Sequence, residues 1–280
     1  MKFLRFGPIG EEKPGIIDQD GVMRDLSAHV DDIAGANLSE DSLSALGQID
    51  PTTLPKVPEN SRIGACVGDI GKVICIGLNY SDHAAESGMA VPPEPVIFFK
   101  ATSAVCGPYD NIEIPRGSNE TDWEVELAVI IGKHTKYVDE ADAMDHVAGY
   151  AIMNDVSERE FQQRRSGQWV KGKSCDTFGP LGPWLVTKDE IADPQNLGMR
   201  LSVNGHQYQN GSTATMVYKV PFLISYLSQF MSLQPGDVIS TGTPPGVGMG
   251  QDPKVYLKPG DVVELSIDGL GDQRQNVEAG

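Results

Sequence analysis

Two glutamates separated by one residue, in Asp122-Trp123-Glu124-Val125-Glu126-Leu127-Ala128-Val129-Ile130-Ile131, are the side chains of this sequence best suited to chemistry. The run has the composition of a strand, whose alternate residues point to opposite faces. Glu124, Glu126, Ala128 and Ile130 therefore share one face, and Val125, Leu127, Val129 and Ile131 the other. An acidic strand face is ordinarily a solvated one. This one turns apolar at Ala128 and Ile130, so both faces are expected to be at least partly buried. Two carboxylates about 7 Å apart on such a face repel each other and lose hydration, a cost that a bound dication relieves. A third acid, Asp155, ends the apolar run from Gly149 to Asn154. Three oxygen donors with no His or Cys among them suit Mg²⁺ or Mn²⁺ rather than zinc.

Other groups could work beside such a centre. Asn79 to Gly88 reads as a short helix with Ser81 as N-cap and Gly88 as terminator, which puts His83 and Glu86 on one face. On a surface they would be an ion pair; beside a metal, Glu86 would raise the basicity of His83 and make it a water-activating dyad. Lys173, in the glycine-flanked loop Gly172 to Pro180, is the candidate for neutralising an enolate or carboxylate, with Lys100 a second candidate after Val96 to Phe99. The stretch Ser240 to Gly248, which contains Thr241, Gly242 and Thr243, follows a strand and could offer backbone N–H groups to a carboxylate. It lacks the Gly-Lys-Ser/Thr ending of a phosphate loop.

The elements that must hold these groups are mostly strands. Lys72 to Gly77, Val96 to Phe99, Val125 to Ile131 and Gly149 to Met153 are apolar runs of strand length. Pro-Gly-Asp-Val occurs at Pro235 and again at Pro259, each time opening a β-like run. Pro221 suits the first turn of a helix reaching about Leu233, with Leu223, Leu227, Phe230 and Met231 as a core-facing stripe. Ser157 and Glu160 have capping-box spacing for another short helix. Near the N-terminus, Asp20-Gly21 marks a hairpin between small strands, and the Pro- and Thr-rich stretch from Gly47 to Pro58 reads as a connection. The expected organisation is a small β-rich domain over residues 1–60 and a catalytic domain over 61–280, in a mixed α/β, β-dominated fold.

The formal charge of −17, from 22 Lys and Arg against 39 Asp and Glu, repels a phosphate backbone and excludes nucleic acid as a partner. No stretch has the apolar length to span a bilayer or the pattern of a signal peptide. The four cysteines are widely spaced with no C-x-x-C pair, so reduced thiols and a cytoplasmic location are expected.

Gly77-Leu78-Asn79-Tyr80 with His83 and Glu86, Asp122 to Glu126, Asn154-Asp155-Val156-Ser157-Glu158-Arg159, Lys173 to Pro180 and Ser240 to Gly248, in that order, resemble the fumarylacetoacetate hydrolase family. The resemblance runs from about Lys72 to Ile267. It implies a β-sandwich or roll, commonly dimeric, with Glu124, Glu126 and Asp155 binding Mg²⁺ or Mn²⁺. It further implies His83 and Glu86 as a dyad on a lid, Lys173 as charge partner, and Tyr80, Lys100, Arg159, Thr241, Gly242 and Thr243 as substrate contacts.

The implied reaction takes a small 2-oxo acid. His83 deprotonates a water that attacks the C4 carbonyl, the C3–C4 bond breaks, and pyruvate enolate departs beside Lys173. Within the family the pattern most resembles bacterial hydrolases of 2,4-diketo-3-deoxy sugar acids, in particular 2,4-diketo-3-deoxy-L-rhamnonate, which gives pyruvate and lactate. Ureidoglycolate lyase and oxaloacetate decarboxylase are alternatives on the same site. A non-catalytic, metal-stabilised ligand-binding scaffold is the alternative of another class.

Overall fold

The computed structural model describes residues 1–82 and 91–280, so the expected His83/Glu86 dyad lies outside the described residues. A ten-stranded sheet carries the acidic strand near its middle. In spatial order it runs Met23–Asp25, Lys13–Ile17, Lys2–Phe6, Gly179–Thr187, Val147–Asn154, Val125–Ile131, Val238–Ser240, Val73–Gly77 and Val96–Lys100. The short Val105–Cys106 pairs with Gly179–Thr187 beside this path. A second sheet of five strands is ordered His206–Ser212, Gly198–Val203, Val262–Ile267, Gly271–Ala279 and Ile112–Ile114. The fold is thus β-dominated and mixed α/β, as the sequence implied.

The seven-residue strand Val125–Ile131 is buried along its whole length, and its alternation sorts two cores. Val125, Leu127, Val129 and Ile131 pack with Met199, Leu201, Val263 and Leu265 of the second sheet. Ala128 and Ile130 face the other way, into a core shared with Phe3, Ile16, Leu38 and Leu43. A strand clothed on both faces reads as a continuous apolar run, which is why the glutamates at its start are conspicuous.

Residues from the first sixty are built into this same sheet. Phe3 pairs with Leu185 and with Ile16, and the expected hairpin joins Lys13–Ile17 to Met23–Asp25. Apolar side chains as far as Leu54 join the core beneath Ala128 and Ile130.

Three local expectations are corrected. Ser157 does not cap a helix: its backbone pairs with Asp122 in a two-stranded ribbon and its hydroxyl donates to the Asp155 carbonyl at 2.8 Å. The helix is Arg159–Arg164, and the Glu158 side chain caps it by accepting the Glu160 amide at 3.1 Å. Lys173 is not in a loop but closes a helical turn, Val170–Lys173. The helix opened by Pro221 spans Val220–Ser228 and stops short of Leu233. Leu223 and Leu227 are core, whereas Phe230, past the helix end, is 61% exposed. Among the described residues no helix is long and apolar enough to cross a membrane, and all four cysteines are free thiols.

Candidate metal centre and active site

The register between Val125–Ile131 and Val147–Asn154 assembles the acids. Val125 lies opposite Asn154 and Glu126 opposite Met153, so Glu124 and Asp155 come together just past the end of the ladder. The Asp155 amide donates to the Glu124 carbonyl at 2.9 Å. One carboxylate oxygen from each of Glu124, Glu126 and Asp155 lies within 4.8 Å of the others, and all three residues are buried. Burial pushes the Glu126 carboxyl well above its usual range, and the neighbouring charges of Asp155 and Glu124 push it further. Three buried acidic oxygens this close form a donor set that suits a hard dication.

Three cations surround the acids. The Lys173 ammonium donates to Glu124 Oε2 at 2.8 Å and to Asp155 Oδ2 at 2.7 Å, and lies 4.9 Å from the centre of the Phe98 ring. Burial opposes its charge, but Asp155 and Glu124 outweigh burial and hold its pKa above the ordinary lysine value. Lys100, also buried, donates to Asp155 Oδ1 and, at 3.0 Å, to the Val156 carbonyl. Arg159 reaches Asp122 Oδ2 at 2.8 Å and Glu124 Oε1 at 2.7 Å, and its other nitrogen donates to Gln162 at 3.1 Å.

The glycine-containing stretch behaves differently from expectation. Its amides do serve carboxylates, but the protein's own: Gly242 N–H donates to Glu126 Oε2 at 2.9 Å, alongside the Ser240 hydroxyl. Gly248 and Met249 amides donate to Asp122 at 2.6 and 2.9 Å. Gly242 has φ +96, and a Cβ there would meet Asn79 Cβ at 3.0 Å and the Ile76 carbonyl at 3.1 Å, so the approach requires glycine. The Thr241 hydroxyl donates to the Leu127 carbonyl at 2.9 Å, because that residue continues the interior strand Val238–Ser240 along Val125–Ile131 and its amide also donates to Leu127, at 3.1 Å. Thr243 lines the cavity, with its hydroxyl donating to the Val125 carbonyl at 2.9 Å. Tyr80 is not a cavity group either. Its ring is fully buried in the intersheet core and its hydroxyl meets Met199 Sδ at 3.2 Å.

Several contributors carried no sequence signal. Residues 123–124 break the ladder, and amides at the break are satisfied by side chains: Glu124 N–H by Asn154 Oδ1 at 3.2 Å and Val125 N–H by Gln209 Oε1 at 3.0 Å. Trp169 stands edge-on to Phe98 with ring centres 5.2 Å apart, and a side chain at Gly77 would strike it at 2.8 Å. Asp122 was within reach of sequence reasoning, since the alternation that pairs Glu124 with Glu126 extends back to it. The result is a cavity lined by the ionic groups Glu124, Glu126, Arg159 and Lys173 together with apolar Leu78, Phe98, Trp169 and Met249 and polar Gln162, Gln163 and Thr243.

Residues 72–278 match the model of the fumarylacetoacetate (FAA) hydrolase C-terminal family. A protein of Burkholderia multivorans, whose name goes no further than a general hydrolase assignment, is 64% identical over 280 residues, covering 100% of this chain and 99% of its own. Among solved structures, fumarylacetoacetate hydrolase from psychrophilic Exiguobacterium antarcticum superposes with a TM-score of 0.85 at 35% identity, over 100% of both chains. Maleylpyruvate hydrolase from Sphingobium sp. SYK-6, solved with manganese(II) and pyruvate, gives 0.83 at 32% identity, again over 100% of both. With the family model spanning the acidic strand, Asp155, Lys173 and the glycine stretch alike, the chain belongs to the fumarylacetoacetate hydrolase family.

Proposed function

We propose that this protein is a Mg²⁺- or Mn²⁺-dependent hydrolase that breaks the C3–C4 bond of a 2,4-dioxo acid and releases pyruvate. The observation that carries this reading is the buried oxygen-only triad of Glu124, Glu126 and Asp155, with ligand atoms within 4.8 Å, backed by cations on the cavity wall. The manganese and pyruvate bound by the 32% identical Sphingobium neighbour support the same chemistry here. A dication held by the three carboxylates would supply Lewis-acid polarisation of the 2-oxo acid.

The chain's own residues do the rest. Gly242 N–H and the Ser240 hydroxyl fix Glu126, and Arg159 fixes Glu124, so the donors are oriented before anything binds. Lys173 stays protonated between Glu124 and Asp155 and puts positive charge where an enolate develops. Phe98 and Trp169 shield it from water. To His83, which with Glu86 lies outside the described residues, we assign the base that removes a proton from the attacking water. The particular substrate we assign is 2,4-diketo-3-deoxy-L-rhamnonate, cleaved to pyruvate and lactate.

The test is pyruvate release from a panel of 2,4-dioxo acids and oxaloacetate, and glyoxylate release from ureidoglycolate, with Mg²⁺, with Mn²⁺ and after EDTA. Metal-dependent release of pyruvate and lactate from the deoxyrhamnonate diketone, abolished in His83→Ala, is expected. Turnover confined to oxaloacetate or ureidoglycolate, and spared in His83→Ala, would move the reaction to the lyases. No metal-dependent turnover of any substrate would leave the scaffold reading.

A further inference from the structure

We infer that the cavity admits 2-oxo acids with a single carboxylate and discriminates against those with a second one at the far end. The inference rests on the metal-site reading above and deepens it from one assigned substrate to a charge-based selection that applies to 2-oxo acids as a class.

Charge decides it. Four carboxylates, Asp122, Glu124, Glu126 and Asp155, are clustered with three cations, Lys100, Arg159 and Lys173. A dication turns this excess of one negative charge into one positive, and a single substrate carboxylate cancels that. A second carboxylate would enter without a counter-charge. Each described cation on the cavity wall is already committed: Arg159 to Asp122 and Glu124, Lys173 to Glu124 and Asp155. Arg164 and Arg165, next along the same stretch, are exposed and paired with Glu120 and Glu160. The undescribed segment 83–90 brings no lysine or arginine by sequence, only His83.

Beside these ionic groups the lining carries polar but uncharged Gln162, Gln163 and Thr243 and an apolar set. Leu78, Phe98, Trp169 and Met249 belong to that set, and the amide of Gln163 is turned onto Met249 Sδ at 3.2 Å. Leu78 has φ +55, an unfavourable conformation for a leucine that places this residue on the cavity wall. An ionised group here loses hydration and gains no uncommitted counter-charge among the described residues, whereas a short uncharged substituent loses little. A group-for-group mismatch of this kind discriminates strongly.

The experiment compares two five-carbon acids that differ only in the far carboxylate, 2-oxopentanoate and 2-oxoglutarate, by calorimetric titration into the Mn²⁺-loaded protein. Initial rates on acetylpyruvate and maleylpyruvate are measured in parallel. The expected result is at least about 30-fold tighter binding of 2-oxopentanoate and at least about 100-fold higher kcat/KM for acetylpyruvate. Met249→Arg, which supplies a counter-charge, is expected to narrow both ratios at least tenfold. Equal or tighter binding of 2-oxoglutarate by the wild-type protein would overturn the inference whatever the variant does. Selective Mn²⁺-dependent binding of 2-oxopentanoate without turnover of either dioxo acid would uphold the inference while defeating the hydrolase reading.

Discussion

Replacing Gln209 by methionine isolates the contribution of one buried amide to the acidic strand. Methionine keeps the length and volume of the side chain, so no large cavity is opened. Gln209 is fully buried and makes three hydrogen bonds. It accepts from Val125 N–H at 3.0 Å and donates to Thr243 Oγ1 and the Pro244 carbonyl, both at 2.8 Å. Thr243 keeps its bond to the Val125 carbonyl, so the substitution strands two groups, the Val125 amide and the Pro244 carbonyl. Each unsatisfied buried group costs about 1–3 kcal/mol, and better burial of methionine returns part of this, leaving a loss of roughly 2–4 kcal/mol. For a chain of this size that lowers Tm by about 3–7 °C. Because Val125 sits between Glu124 and Glu126, Mn²⁺ affinity should fall at least about fivefold as well, some 1 kcal/mol of lost ligand alignment. Calorimetry and Mn²⁺ titration read the two effects separately. A Tm within 1 °C of wild type together with unchanged Mn²⁺ affinity would refute the reasoning that this amide holds the strand.

Further outcomes follow from the same geometry. Gly242→Ala forces a side chain into φ +96 against Asn79 and Ile76 and moves the amide off Glu126, so Tm should drop by several degrees and Mn²⁺ affinity should weaken. Arg159→Met leaves Asp122 buried without a cation and Glu124 with Lys173 alone; a loss of about 3–5 kcal/mol in urea unfolding is expected, and a loss below 1 kcal/mol would show the pairing to be dispensable. The Asp18 carboxyl is held below its usual range first by the Val22 amide, against the opposing effect of burial, and then by Arg24 and the Asp20 amide. A depressed folded-state pKa stabilises the protein above the unfolded value and is lost as pH falls through the folded value. The urea midpoint should therefore decline as pH drops below about 4, and Asp18→Asn should flatten that decline while lowering stability at neutral pH.

The acidic strand shows what local pattern can and cannot determine. Alternation in Val125–Ile131 was enough to separate the two faces, and the structure places each set in its own core. The grouping of Glu124 with Glu126 and Asp155 was legible because carboxylates at a buried strand start are costly unless something uses them. The fate of the 240–248 amides was not legible. A glycine-containing turn after a strand can face a ligand or a neighbouring side chain, and only the antiparallel pairing of Ser240 with Ala128 brings Gly242 onto Glu126. The resemblance offered Tyr80 as a substrate contact, whereas the structure buries its ring in the intersheet core, an outcome that an aromatic with a polar tip leaves open in one dimension.

The sequence alone determined the periodicity, the strand identities and the residue types able to hold a hard cation, because each depends on neighbours within a few positions, and it determined the net charge by composition. Tertiary structure decided which cations serve which acids. Lys173 could have been a solvated lysine, Arg159 a substrate ligand and Lys100 a surface charge. Their partners lie 18 to 55 residues away along the chain, and all of these pairings are inside the protein. A buried charge has no choice but to find a counter-charge, while the choice of partner depends on sheet order and register, which no local pattern encodes.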